Sequence, residues 1–189
     1  NTALGYGTLE LQNVNADGNN TAVGYTAGQT ISTGVRNAIV GSQAGDVLTT
    51  GINNTFVGFN AGGAVTDRSY NTGVGDSALG ANVNGSKNVA VGNGTLASMN
   101  PDSDLDTYNT ALGYNAGLSV TTAINNTLIG AAAGDALTTG GDNVAVGSGA
   151  LTGQQSGNSN VAIGRNAMAQ GTATDRNVAV GYFALNNLS

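Results

Sequence analysis

With 189 residues, a net charge of −6 and only five basic side chains, the chain has no patch able to neutralise a phosphate backbone or an anionic bilayer surface. Cysteine and histidine are both absent, which removes disulfides, thiolate metal sites and the commonest catalytic bases and nucleophiles. Charged residues make up 8%, against roughly 25% in an average soluble domain, so asparagine, threonine and serine must supply most of the solvent-facing surface.

Eleven short strands are predicted, each at a five-residue unit Asn-(Thr/Val)-Ala-(Val/Leu/Ile)-Gly or a close variant. In chain order the units begin at Asn1, Asn20, Asn37, Asn54, Asn71, Asn88, Asn109, Asn126, Asn143, Asn160 and Asn177. Eight of the ten intervals share one 17-residue step, the first is 19 and the sixth is 21, so the whole chain has one period. A fixed period of this length means stacked supersecondary units, each too small to bury a core alone. Two short strands and two turns fill such a step; two helices do not. The expected fold is an all-β parallel β-roll of about eleven coils forming a single repeat domain over residues 1–189. At about 4.8 Å per coil it makes a rod roughly 50 Å long. The chain opens directly on a repeat and without Met, which predicts a segment of a longer fibre protein.

With each Asn counted as position zero, position three is Val, Leu or Ile in every copy, and position two is Ala except at Ile39, Phe56, Gly73 and Leu128. Position one, Thr or Val except at Ala38, adds to the face of position three, so the strand is apolar on both faces. A roll one coil wide has a single interior, and the second face calls for a partner. The economical partner is another copy of the chain, which predicts a homo-oligomer closed about the fibre axis. Position four is always Gly, as a corner needing positive φ or close backbone approach requires. Position seven is Ala or Thr. Five coils carry Gly at position eight with an aliphatic residue at position eleven (Ile31, Leu48, Val65, Val120, Leu137). Four carry Leu9, Leu79, Leu151 or Met168 at position eight, with Gln12, Asn82, Gln154 or Gly171 at position eleven. One core slot is thus filled from either side of a turn, with Leu96 and Met99 as the exception.

The candidate sites follow from these columns. The eleven asparagines are expected to form a structural ladder of amides along the axis. Position five carries exposed aromatics at Tyr6, Tyr25, Phe59, Tyr114 and Tyr182, which are candidate receptor contacts. Tyr6 and Tyr25, on adjacent coils, make the best pair. The longest repeat contains Asp102-Ser-Asp104-Leu-Asp106, spaced like the first half of a calcium loop. Thr107 and Gly113 stand where such a loop needs Gly and Glu, so a solvated acidic bulge is favoured over calcium. Glu10 is the sole glutamate, no convincing acid pair is visible, and neither an enzyme nor a cofactor is expected. Asn-x-Thr sequons at Asn19, Asn53 and Asn125 arise from the repeat itself. No apolar run approaches the ~20 residues of a membrane span, so no membrane insertion is expected.

The units Asn88-Val-Ala-Val-Gly92, Asn143-Val-Ala-Val-Gly147, Asn160-Val-Ala-Ile-Gly164 and Asn177-Val-Ala-Val-Gly181 resemble the repeat of trimeric autotransporter adhesin heads. The fuller form at Asn1-Thr-Ala-Leu-Gly-Tyr6, Asn20-Thr-Ala-Val-Gly-Tyr25 and Asn109-Thr-Ala-Leu-Gly-Tyr114 is similar to the repeat of bacteriophage tail fibres. The resemblance implies a left-handed parallel β-roll, three chains side by side, and attachment to a host surface glycan or protein receptor. The chain is therefore expected in an extracellular attachment fibre, of a virion tail or of a bacterial cell surface, with the Thr-Ala-Leu-Gly-Tyr form favouring the viral one. An ice-binding solenoid is the alternative from another class, since Thr49-Thr50 and Thr138-Thr139 recur as pairs.

Overall fold

A computed structural model describes residues 1–13, 18–171 and 174–188. The described residues form no helix. One parallel sheet of eleven three-residue strands runs along the molecule in chain order, from Thr2–Leu4 and Thr21–Val23 through Val161–Ile163 to Val178–Val180. Each strand pairs with the next in register, position two against position two, as in Ile39 against Phe56 and Leu128 against Ala145. The architecture is a parallel β-solenoid whose coils step at the interval between successive asparagines. A second strand per coil, expected from the sequence, is found among the described residues only as two-residue pairs, Gly85–Ser86 with Leu105–Asp106 of the longest repeat and Gln170–Gly171 with Asn187–Leu188; elsewhere turns and bends close the coil.

Position two points inward. From Ala22 to Ala162 its residues are wholly buried, and with Ala at position seven they line a narrow core along the axis. The slot shared by positions eight and eleven is real: Ile31, Leu48, Val65, Val120 and Leu137 fill it where position eight is Gly, and Leu79, Leu151 and Met168 fill it where it is not. The sizes are matched within each coil, because a Cβ on Gly28 would stand 3.0 Å from Ile31 Cδ1. Two of the polar residues opposite a Leu are fully paired, while Gln154, opposite Leu151, donates to Thr174 Oγ1 at 3.0 Å and leaves its buried Oε1 without a partner among the described residues. Gln12 donates to Gly34 O and accepts from Asn20, and Asn82 closes on the N–H and carbonyl of Gly85. In the longest repeat Leu96 and Met99 are both buried, and the Met99 thioether takes contacts from Thr107 and Asn109 at 3.9 and 3.7 Å.

Corner geometry explains why the coil closes in so few residues. Position four has φ between +127° and +142° in every copy, a region open only to glycine. Positions six and eight and the residue before each Asn are all left-handed, with φ between +47° and +65°. Non-glycine residues occupy many of these places, among them Leu79, Tyr70 and Lys87.

The asparagines form an unbroken ladder from Asn1 to Asn177. Each Oδ1 accepts the backbone N–H of the next Asn, at 2.8 Å for Asn37 onto Asn20 and 3.0 Å for Asn143 onto Asn126. In most copies Nδ2 reaches the far side of its own coil; Asn37 meets Gly51 O at 2.9 Å and Asn143 meets Gly157 O at 2.8 Å. One amide therefore both seals its coil and fastens it to the next, while remaining buried from Asn20 to Asn160. Position seven holds a variation of the same kind, since Thr8 and Thr95 donate to Gly24 O and Gly113 O of the following coil.

Candidate functional site

Three surface features stand out. The largest is the outward face of the sheet. Because side chains alternate along a strand, burying position two leaves positions one and three outside. They form a ribbon of Thr, Val, Leu and Ile along the whole rod. Within the rod, Val40, Leu112 and Ile163 are exposed, at 39%, 47% and 39%, while Val23, Val57, Val74, Val91, Ile129 and Val146 are half-buried, so neighbouring coils cover the flanks of these side chains but not their tips. The apolar face inferred from the sequence is thus present and uncovered in the single chain.

The second feature is aromatic. Of nine tyrosines and phenylalanines only Phe56 is buried. The five at position five, Tyr6, Tyr25, Phe59, Tyr114 and Tyr182, are exposed and lie along the ribbon's edge just past the corner glycine. They do not form one continuous row, because Ser42, Asp76, Asn93, Ala131, Ser148 and Arg165 hold the same position in intervening coils. Tyr6 and Tyr25 alone stack on successive coils, with ring centroids 5.5 Å apart and planes 10° from parallel. Tyr182 meets Phe183 edge-on at 4.5 Å and lies 6.0 Å from the Arg165 guanidinium. Sequence reasoning missed Tyr70 and Tyr108, both exposed on the ribbon's opposite edge in the column preceding each Asn. The polar company of that column, Arg36, Asn53, Lys87 and Asp142, was the available signal.

The third feature is the acidic insertion. Its carboxylates do not converge. Asp104 Oδ2 pairs with Arg68 at 3.1 Å, while Asp106 Oδ2 pairs with Lys87 at 2.6 Å and accepts from Tyr108 OH at 3.3 Å. Arg68 also pairs with Asp67 at 2.7 Å. The Lys87 ammonium is 3.1 Å from the Tyr108 hydroxyl but 5.1 Å from the ring centroid, so it sits at the ring's edge and hydrogen-bonds there. Two cations from preceding coils thus strap the insertion down, and among the described residues no group of acidic side chains is placed to hold a metal ion. The Lys87 hydrogen bond holds the Asp106 carboxyl below its ordinary range, and Asp106 in turn raises the Lys87 ammonium. A depressed carboxylate stabilises the strapped form above its unfolded pKa of ~3.9, and that contribution is lost as pH falls through the lower folded value. Both groups are solvent-exposed, so the effect is local. We expect Lys87→Met to speed hydrogen exchange at Leu105 and Thr107, whose amides bond to Asn84 O and Ser86 O, with Tm shifted by no more than about 2 °C. Wild-type protection should persist at pH 5 and fade below about pH 4. Unchanged exchange in the variant would show that backbone pairing alone holds the insertion.

Two further carboxyls are perturbed, and they lie far apart. Partial burial raises the Asp46 and Asp135 carboxyls, yet both stand at position nine, five coils or roughly 24 Å apart, and cannot act on one bond. In the threonine pairs, Thr49 Oγ1 donates to Thr66 O and Thr138 Oγ1 to Gln155 O, each at 2.9 Å. One hydroxyl of each threonine pair is therefore bonded to the neighbouring coil. No protein-family model matches the chain, and no curated protein or solved structure is significantly similar to it.

Proposed function

We propose that the chain is a self-associating segment of an extracellular attachment fibre, three copies winding as left-handed rolls side by side with their strand ribbons covered by one another. The observation that carries this reading is the uncovered ribbon. A continuous apolar strip along an entire rod exceeds what a soluble monomer ordinarily exposes, and identical copies present the same strip in the same register. The rest of the molecule suits a fibre: low charge, no convergent reactive groups among the described residues, and a ladder of buried amides that stiffens the axis. Attachment would be mechanical and multivalent, with three copies of one weak receptor contact acting at high effective concentration. The Asn-Thr-Ala-Leu-Gly-Tyr units favour a bacteriophage tail fibre over a bacterial adhesin head.

Light scattering behind size exclusion tests the assembly. Three 18.5 kDa chains give about 55 kDa, and a lysine in the ribbon at Val57 or Ile129 should return the mass to one chain while leaving the far-UV signal of the strands intact. A wild-type monomer would sink the reading. So would a trimer indifferent to both substitutions, since its interface would lie elsewhere.

A further inference from the structure

We propose that the first two coils carry a saccharide-binding site, built on the stacked Tyr6–Tyr25 pair, for a neutral hexose or hexosamine chain. The proposal deepens the attachment reading and rests on it only for its biological purpose.

The rings are 74% and 54% exposed and stacked on one another, so each props the other while their outward faces and edges remain open. End effects do not create that exposure, because Tyr114 in mid-rod is 62% exposed at the same position. Beside the rings lies Gly7, at a position where other coils carry Gln43, Asn60 or Asn115. Its missing side chain leaves a shelf. A Cβ built there would stand 3.4 Å from Gln29 Nε2, 3.5 Å from Thr26 Cγ2 and 3.6 Å from Glu10 Oε2, so the shelf, one residue along the chain from Tyr6, abuts an acid–amide pair. Gln29 Nε2 donates to Glu10 Oε2 at 2.6 Å, which fixes the two side chains relative to one another. Among the described residues the second Glu10 oxygen and the Gln29 carbonyl have no other hydrogen bond, and both remain as acceptors. A pyranose offers the complement of this arrangement: an apolar face of C–H groups to lie on a ring and a rim of hydroxyl donors to meet fixed acceptors.

The same groups select against acidic sugars. The sole glutamate stands in the site, no ion pair joins it among the described residues, and the chain carries −6 overall, so a sialyl or uronyl carboxylate meets like charge with no cation to receive it. Other aromatics of the column lack the set. Phe59 is followed by Asn60 and flanked by Ser42 and Asp76, and Tyr114 is flanked by Asn93 and Ala131.

Chitotriose, maltotriose, lactose and sialyllactose should be tested against the intact chain by saturation-transfer NMR and by tyrosine emission, which is unobscured because the chain has no Trp. We expect a neutral oligosaccharide to bind, with affinity falling roughly tenfold in Tyr25→Ala and in Glu10→Ala and unchanged in Tyr114→Ala. Sialyllactose should bind more weakly than lactose. Binding of none of the four, preference for the sialylated sugar, or equal losses at Tyr25 and Tyr114 would each overturn the proposal. Measuring the mass of every variant separates a failed assembly from a failed sugar site, since each can be lost while the other is kept.

Discussion

Alanine at Gly58 is expected to destabilise the rod by about 3–5 kcal/mol, whereas alanine at Gly181, the same position in the last coil, should cost only about 1–3 kcal/mol. Both glycines share a backbone that L-residues rarely adopt, with φ of +138° and +130°. They differ in what lies beyond. A Cβ on Gly58 would fall into the carbonyl of Gly75, which is rigid backbone fixed by its own ladder bonds, while a Cβ on Gly181 would find nothing nearer than Ala184 Cβ at 3.9 Å. The pair therefore separates conformational strain from steric exclusion within one column. Thermal unfolding followed by circular dichroism should show a fall in Tm of roughly 10 °C for Gly58→Ala and a clearly smaller one for Gly181→Ala. Equal falls would show that strain alone fixes the glycine and that coil spacing tolerates a methyl group.

Aspartate at Asn126 should be worse than its near-identical shape suggests. The Asn126 amide donates to Asn109 Oδ1, Ile124 O and Gly140 O at 3.0–3.1 Å, and its oxygen accepts from both nitrogens of Asn143. A carboxylate preserves the acceptor but turns an oxygen towards three others in a site with 1% exposure. Breaking a buried polar set in this way costs about 3–5 kcal/mol at neutral pH. Burial without a counter-charge raises the new carboxyl's folded pKa above its unfolded value. The penalty is then greatest at pH 7 and shrinks as pH falls through that raised value, where the neutral acid can donate one hydrogen bond. Urea midpoints at pH 7 and pH 4 test this against wild type. A variant as stable as wild type at pH 7 would mean that the ladder's donors are dispensable.

Much of this architecture was legible because it is written in columns. The strand at positions one to three, the corner at the invariant glycine and the slot shared by positions eight and eleven each follow from residue size repeated in register, and each is found in the fold. Other features escaped because their causes are not composition. The left-handed corners at Leu79, Tyr70 and Lys87 look like ordinary side chains in sequence, and only the demand to close a coil within one short repeat forces them into that backbone. The strap at the insertion joins Arg68 to Asp104 and Lys87 to Asp106, residues brought together by stacking and not by any local pattern. The second aromatic edge, Tyr70 and Tyr108, was hidden because it recurs in two coils only. Periodicity shows that the ribbon is apolar, but what packs on it is not written in any column.

Phe56 sets a limit on how such a rod can evolve. Core sizes are matched between neighbouring coils as well as within them: a Cβ on Gly28 would meet Ile39 Cδ1 of the next coil at 3.2 Å, and one on Gly117 would meet Leu128 Cδ1 of the next at 2.9 Å. Coil four spreads this coupling over three coils. Its phenyl ring takes room vacated by Gly45 in the coil before, Gly62 in its own and Gly73 in the coil after. Those three units can be inherited only together, and unequal recombination that separates them leaves either a hole or a collision. Length variants of this rod should therefore carry the segment around Phe56 as an indivisible block.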